Sequence, residues 1–174
     1  GSPFYSWNIG LGADFVSLYA YYLASPLNWL LILWPRGYVI EFMTVLSILK
    51  IALSGLTFTY YLGEHFHVWQ DAGNAAAVTR TEKKTAVRLP ADVASYAAAL
   101  CGAAYALCAF MAAYAWNLMW TDCMVLAPLV ILGLERLIRD NRPGLYYVSL
   151  AVCILSNYYI SIMICIFLVL WFLL

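Results

Sequence analysis

Charged side chains are scarce in this 174-residue chain: Asp, Glu, Lys and Arg together make up only 10% of it. Hydrophobic residues make up 66%, a composition that is typical of membrane proteins and excludes an ordinary soluble domain. The nine basic and nine acidic residues cancel, and no basic tract extends beyond a few positions. Nucleic acid is therefore not an expected partner.

The sequence also lacks the patterns that metal and disulfide chemistry need. Its five cysteines lie in apolar segments without CxxC or Cys/His spacing, so we expect small buried residues rather than ligands or disulfides. His65 and His67 form an isolated HxH in a polar link, which we interpret as residues exposed to solvent. The chain opens without a basic n-region, which excludes a signal-peptide pattern, and we expect it to be a piece of a larger membrane protein.

Long apolar runs take the place of charge. Three of them, 39–62, 92–114 and 118–135, are long enough to cross a hydrocarbon core about 30 Å thick. A fourth stretch, 144–174, predicts either one long tilted helix or two helices with a break near its SNYY motif. The predicted fold class is all-α, a polytopic transmembrane helix bundle.

The amino-terminal part differs from these spans. Segment 15–34 is apolar, but Pro26 and Asn28 divide it, which favours interfacial or re-entrant helices on the outer side. We predict two regions: an extracytoplasmic or interfacial segment, 1–37, and a transmembrane bundle, 38–174.

Basic residues predict the orientation. They collect in the link 63–92 and in the link after the third span, so both links should be cytoplasmic. The chain then rises through 92–114 and descends through 118–135, which puts the turn between these spans outside. The basic residues are Arg80, Lys83, Lys84, Arg88, Arg136, Arg139 and Arg142.

Polar residues inside or beside the apolar runs form the candidate site. Asp122 either caps the helix that follows it or belongs to a site, because ionisable residues within membrane spans are functional candidates. Lys50 lies midway along a span, so it should face the bundle and find either a partner in the rest of the protein or a phosphate. Other polar and aromatic groups, which for tryptophan include an interfacial belt as the alternative, are expected near the outer face: Glu41, Trp116, Asn117, Trp120, Asn157, Tyr158 and Tyr159.

Five stretches of the chain, in order, resemble the bacterial membrane protein YfhO family: SWNIGLGADF, YYLASPLNWLLILWP, LKIALSGLTFTYYL, AYAWNLMWTDCMVLAPLVILGLERLI and LSNYYISIMICIFLVLWF. That family is similar to the GT-C class of multispanning glycosyltransferases, which use polyprenyl-phosphate-linked sugars on the extracytoplasmic face. The resemblance implies a GT-C-like fold in a multi-pass protein of the bacterial cell membrane. It also implies transfer of a sugar from that donor to a cell-envelope polymer of the teichoic-acid type.

The same resemblance implies roles for particular residues. The turn that holds Asp122 matches the second outer loop of GT-C enzymes, whose acid helps to hold a divalent cation or the donor phosphate. Asp122 is thus the expected catalytic and metal-binding residue, with Mg²⁺ or Mn²⁺ as the cofactor, while the first-loop acid is expected upstream of Gly1. The expected substrate-binding residues are Lys50, Glu41, Trp116, Asn117, Trp120, Asn157, Tyr158 and Tyr159. The expected partners are the lipid bilayer, the polyprenyl-phosphate sugar donor and the polymer acceptor.

Two other functions stay open. A transporter or lipid flippase also uses discontinuous helices and buried charges, and it favours polar residues near the midplane of the membrane. A noncatalytic membrane scaffold is the second. An enzyme of the GT-C type favours polar residues near the outer face.

Overall fold

The computed structural model of the chain describes residues 4–6, 13–14, 16, 19, 24–66 and 91–173. Within these ranges the chain is helical, apart from two short antiparallel strands, β1 (Tyr5–Ser6) and β2 (Ala13–Asp14). The predicted all-α membrane bundle is therefore confirmed for this part of the chain. His67 and the basic residues of the link 63–92 lie outside the described residues.

The helices follow the apolar runs. Two 3₁₀ helices, Pro26–Leu33 and Arg36–Tyr38, precede the α-helices, which are α1 (Val39–His65), α2 (Ala91–Ala106), α3 (Ala109–Tyr114), α4 (Leu118–Asp140), α5 (Gly144–Ser156) and α6 (Tyr158–Leu173). Three helical runs are long and apolar enough to cross a membrane: α1, α4, and Asp92–Tyr114, which α2 and α3 make together. The three predicted spans are confirmed.

The stretch 144–174 forms two helices rather than one. The break is at Asn157, whose backbone is extended, with φ of −161° and ψ of 108°. Its side-chain Oδ1 accepts a hydrogen bond from the backbone N–H of Ile160 at 3.0 Å, so asparagine here caps the start of α6. The Ser161 hydroxyl donates to the carbonyl oxygens of Cys153 and Asn157 at 2.7 and 2.6 Å, which joins the two helices across the break.

Helices α1 and α4 run parallel in a fixed register. Lys50 pairs with Asp122 and Glu64 pairs with Arg136, and both pairs join residues 72 positions apart. The second pair lies 14 residues further along each helix, or about 21 Å at 1.5 Å per residue. A parallel α1 and α4 is what the predicted topology requires, because both are expected to descend through the membrane.

Helix α2 runs antiparallel to α1 and packs very closely against it. A Cβ atom added at Gly55 would meet Gly102 and Ala106, and one added at Gly102 would meet Thr59 and the Gly55 carbonyl oxygen. Small residues allow this approach, which is how membrane helices gain van der Waals contact.

Helix α4 is the central helix, with 61% of its most apolar window buried against 22% for each of the other two spans. It packs on α5 where Gly133 meets the backbone of Tyr146. A buried apolar cluster surrounds this contact: Cys123, Val130, Leu134, Cys153 and Leu168. The first turns of α4 are thereby held between α1, α5 and the first 3₁₀ helix, and the candidate site lies there.

Candidate functional site

The ammonium group of Lys50 is fully buried, with none of the side chain exposed. Its Nζ atom lies 2.9 Å from Asp122 Oδ2, 2.9 Å from Asn28 Oδ1 and 2.8 Å from the carbonyl oxygen of Leu118. An ammonium has three N–H donors, so these three acceptors satisfy it completely. Lysine can remain charged at this depth because a carboxylate neutralises it and two further oxygens solvate it.

Asp122 lies inside α4 rather than at its start. The helix begins at Leu118 with Asn117 at the cap position, so the prediction that Asp122 might cap this helix is wrong. Only 3% of Asp122 is exposed, and one carboxylate oxygen binds Lys50. The hydroxyl of Ser25 is fully buried and faces the Asp122 carboxylate at the edge of the ion pair.

The sequence placed Lys50 and Asp122 at different depths, whereas the structure brings them level. The partner of Lys50 was expected either outside this chain or to be a phosphate, and instead it is Asp122 within the chain. Lys50 follows the start of α1 by 11 residues, about 16 Å of helix, so α4 begins well below the outer end of α1. Glu41 lies nine residues before Lys50, about 14 Å further out, and is exposed, so the structure does not bring it to Asp122.

An apolar groove of about 300 Å³ opens beside the ion pair. It lies between the first 3₁₀ helix, the outer part of α1 and the turn before α4. Two of its lining residues, Asn28 and Leu118, are also acceptors for the Lys50 ammonium. A ligand with an apolar body and an anionic end would therefore find the apolar walls and the lysine next to each other. Those walls include Phe42, Leu46, Trp116 and Met119.

The predicted residues of the outer turn are divided between the groove and the surface. Trp116 and Asn117 both line the groove; Asn117 is buried and Trp116 is 75% exposed, with its indole N–H donated to the Ala113 carbonyl oxygen. Trp120 packs its ring on Tyr114, at 5.7 Å between centroids, and its buried Nε1 has no hydrogen-bond partner among the described residues.

The predicted residues of the SNYY motif lie further from the ion pair. Asn157 is fully buried, and its carbonyl oxygen is 3.9 Å from Sγ of Cys123, the residue that follows Asp122. Within the part of the chain that the structure describes, its side-chain Nδ2 has no hydrogen-bond partner. Tyr158 and Tyr159 are about half exposed, at 52% and 49%, and are not among the residues that line the groove.

The donor set around Asp122 does not fit a divalent cation. The described residues contain no group of three or more His, Cys, Asp or Glu side chains that could hold a metal ion. The carboxylate already faces the ammonium of Lys50 at 2.9 Å, and a second cation at the same oxygen would be repelled. Mg²⁺ or Mn²⁺ at Asp122 stays a prediction, and it would need ligands from outside the described residues.

Two residues of the site, Ser25 and Asn28, were not singled out as site residues from the sequence. Asn28 was noted only because, with Pro26, it interrupts an apolar run. The signal that could have found them is the same interruption, since the polar residues of SPLN have no reason to stand among aromatic and aliphatic side chains unless they meet a partner.

A second polar cluster joins the other ends of α1 and α4. Glu135 is buried, and its carboxylate contacts His65 Nδ1 at 2.9 Å and accepts a hydrogen bond from the Tyr61 hydroxyl at 3.1 Å. Arg136 donates to Glu64 at 2.7 Å and to the Tyr60 hydroxyl at 3.1 Å. The interpretation of His65 as a residue merely exposed to solvent is wrong, because it is only 34% exposed and pairs with a carboxylate.

Comparison with known proteins agrees with the resemblance seen in the sequence. The model of the family described as "Bacterial membrane protein YfhO" matches residues 1–75 and 89–174. A curated relative, "Uncharacterized protein YfhO" of Bacillus subtilis (strain 168), is 38% identical over 42 residues. That alignment covers 24% of this chain and 5% of the relative, so the chain spans a small part of the relative it matches. No solved structure matches the chain.

Proposed function

The chain belongs to the bacterial membrane protein YfhO family, and from this premise we propose that it is part of a membrane glycosyltransferase. In this proposal the whole protein transfers a sugar from a polyprenyl-phosphate donor to a cell-envelope polymer on the extracytoplasmic face. The observation that carries the proposal is the buried Lys50–Asp122 pair behind an apolar groove, separated from it by Asn28 and Leu118, which line the groove and accept hydrogen bonds from Lys50. Such an arrangement suits a ligand with a phosphate at one end and a hydrocarbon chain at the other.

The apolar walls of the groove account for the lipid part of the donor. Met43 lines the groove and is itself exposed, and Leu30 is exposed on the neighbouring 3₁₀ helix. A lipid chain can enter such a groove sideways from the bilayer without crossing water, so no hydrophobic cost opposes it. The tryptophan on the outer rim, Trp116, offers a flat face to the sugar or to the chain.

The charged end of the site accounts for the reacting part. When the bond between the sugar and the phosphate oxygen breaks, the electron pair goes to the phosphate, whose negative charge increases. A positioned ammonium stabilises that charge more strongly than water does, because the site is buried and the ammonium needs no reorganisation. Lys50 would supply this charge, and Asp122 would hold the lysine charged and in place.

The acceptor hydroxyl must also lose its proton. In an inverting transfer the base stands on the face of the sugar opposite the departing phosphate. We assign that base to the first-loop acid that the resemblance implies upstream of Gly1. Asp122, which forms an ion pair with Lys50, would lie on the side of the departing phosphate and would not act as the base.

Substitution of Asp122 in the full-length protein tests this function. Asp122→Asn keeps the shape of the side chain and an oxygen acceptor for Lys50 but removes the charge, so we expect sugar addition to the envelope polymer to be lost; membrane abundance measured in the same cells separates loss of chemistry from loss of folded protein. Asp140→Asn is the matched control, because Asp140 is an exposed acid 18 residues further along α4, about 27 Å of helix away from Asp122. Normal glycosylation in cells that carry Asp122→Asn would show that Asp122 takes no part in sugar transfer, and it would contradict the proposed role of the ion pair.

A transporter or lipid flippase is the second candidate, favoured by the break between α5 and α6 at Asn157. Broken helices provide ion and substrate sites in many transporters. A flippase would move the lipid-linked sugar across the bilayer without consuming it. Reconstituted full-length protein that moves a fluorescent lipid phosphate between leaflets, with no release of sugar, would favour this candidate.

A further inference from the structure

We propose that Asn28 is a displaceable partner of Lys50: an anionic phosphate oxygen binds the ammonium by taking the place of the Asn28 amide oxygen, without a divalent cation. This inference rests on the proposed function and deepens it. It assigns a role to a residue of the first 3₁₀ helix and makes the lysine the positive charge that receives the phosphate.

The saturation of Lys50 is the first step. Its three donors are all engaged, by Asn28, Leu118 and Asp122 at 2.8 to 2.9 Å. A phosphate can therefore reach the ammonium only if one acceptor leaves. The acceptor that a phosphate would replace is the one that is easiest to displace.

Asp122 and Leu118 are poor candidates for displacement. Asp122 is 3% exposed, so releasing it would leave a buried carboxylate without its counter-charge. The Leu118 carbonyl belongs to the first turn of α4, where it also accepts the hydroxyl of Thr121 at 2.8 Å, and it cannot move without the helix. Both are fixed by the central helix of the bundle.

Asn28 differs from Asp122 in charge, and from both in burial or in the helix that carries it. Its amide is neutral, its residue is only half-buried, and it lies on a 3₁₀ helix rather than on a packed α-helix. Such helices have poorer hydrogen-bond geometry and are used in short pieces. Asn28 is also part of the groove lining, so a ligand in the groove meets it directly in front of the ammonium.

The lysine also makes a metal ion unnecessary at this point. Asp122 already has the Lys50 ammonium as its counter-charge. A phosphate that replaces the neutral Asn28 amide would place a second anion on the same ammonium. Exchange of a neutral acceptor for an anionic one strengthens the hydrogen bond, because charge-assisted bonds are about twice as strong. The Asp122 carboxylate repels the phosphate at the same time, so exchange requires that the stronger hydrogen bond and the burial of the lipid chain in the groove together exceed that repulsion.

Direct binding of farnesyl phosphate to the purified full-length protein, in detergent with excess EDTA, tests the proposal. We expect wild type to bind it, and Lys50→Gln to bind it about ten- to a hundredfold more weakly, since a charged hydrogen bond is lost. Farnesol, which lacks the phosphate, should bind both proteins alike. Arg136→Gln is the matched control: it removes a positive charge from the cluster at the other end of α4 and should leave the affinity unchanged.

Two substitutions of Asn28 separate exchange from simple attraction. Asn28→Ala removes the competing acceptor, so affinity for farnesyl phosphate should be equal to wild type or higher. Asn28→Asp places a second carboxylate at the ammonium, and affinity should fall at least about tenfold. Should Lys50→Gln fail to fold, these two variants decide, because both keep the Lys50–Asp122 pair.

Equal affinity in Lys50→Gln, a tighter Asn28→Asp variant, or binding abolished by EDTA would overturn the proposal. These outcomes are distinct from a failure of the proposed function. Farnesyl phosphate binding with the expected pattern but no sugar transfer would reject the glycosyltransferase and keep the exchange. Sugar transfer that is normal in Lys50→Gln and needs Mg²⁺ would do the reverse.

Discussion

Lys50 of α1 and Asp122 of α4 form an ion pair with 2.9 Å between Nζ and Oδ2, and their exposed fractions are 0% and 3%. Removing two charges from water costs several kcal/mol for each ion, and their attraction recovers this only when the geometry is good and the remaining donors are satisfied. Here the other two donors of Lys50 are satisfied by Asn28 and Leu118. The ion pair is therefore satisfied in the folded protein. Apolar residues of similar volume at both positions would nevertheless give equal or greater stability.

Single substitution of Asp122 should therefore be costly. Asp122→Ala leaves the ammonium of Lys50 buried without a counter-charge, and we expect a loss of about 3–5 kcal/mol in the free energy of unfolding. Chemical denaturation of the purified full-length protein in detergent measures it. Glu41→Ala, at an exposed acid of the same helix as Lys50, should change stability by less than about 0.5 kcal/mol. A loss of similar size in both variants would show that the ion pair is not the cause.

The close approach of α1 and α2 gives a second prediction. A Cβ at Gly102 would meet the side chain of Thr59 and lie 2.7 Å from the Gly55 carbonyl oxygen, so the backbones must separate. Gly102→Ala should destabilise the protein by about 1–3 kcal/mol. Gly144→Ala is the matched control, because a Cβ there meets nothing within 4 Å. Equal thermal stability of the two variants would contradict the packing of these helices.

The two pairs at the other end of α1 and α4 should differ in their contributions. Glu135 is 7% exposed and has two partners, so Glu135→Ala leaves the Tyr61 hydroxyl without its acceptor, at a cost of about 1–3 kcal/mol. Arg136 and Glu64 are about 30% exposed, at 31% and 30%, and Arg136→Gln should cost less than about 1 kcal/mol. Denaturation curves of the two variants measure the difference. A larger effect of Arg136→Gln would reverse this order.

The orientation that the basic links indicate stays a prediction, and labelling can test it. In full-length protein whose native cysteines are replaced, Trp116→Cys should react with an impermeant maleimide in intact cells, because residue 116 is exposed on the outer turn. Arg142→Cys, exposed between α4 and α5, should react only after the cells are opened. The opposite pattern would invert the topology.

The spans were predictable from the sequence because a membrane demands length and apolarity, and little else in this chain satisfies both. The break at Asn157 was predicted as one of two alternatives, and the cap formed by its own side chain decided between them. The close contact of Gly102 with Gly55 of α1 could not be identified from the sequence, because it depends on the antiparallel register of the two helices.

The site was predictable in its residues but not in its geometry. Lys50 and Asp122 were each identified from the cost of burying a charge. The sequence puts Lys50 midway along one span and Asp122 near the start of another, so they were not expected to meet. They do meet because α4 begins level with the middle of α1, where Asn28 of the 3₁₀ helix Pro26–Leu33 also contacts Lys50. Ser25 and Asn28 were missed as site residues for the same reason, since an interfacial segment was not expected to supply partners for a buried lysine.

Replacing both Lys50 and Asp122 by apolar residues tests most directly whether the native ion pair serves sugar transfer rather than stability. The double variant Lys50→Met, Asp122→Leu removes both charges and keeps apolar volume, so we expect its stability to equal or exceed that of wild type. The measurement is the rate of sugar transfer from a synthetic polyprenyl-phosphate donor by the purified, full-length double variant. The account predicts a folded protein without detectable transfer, and transfer at the wild-type rate would contradict it.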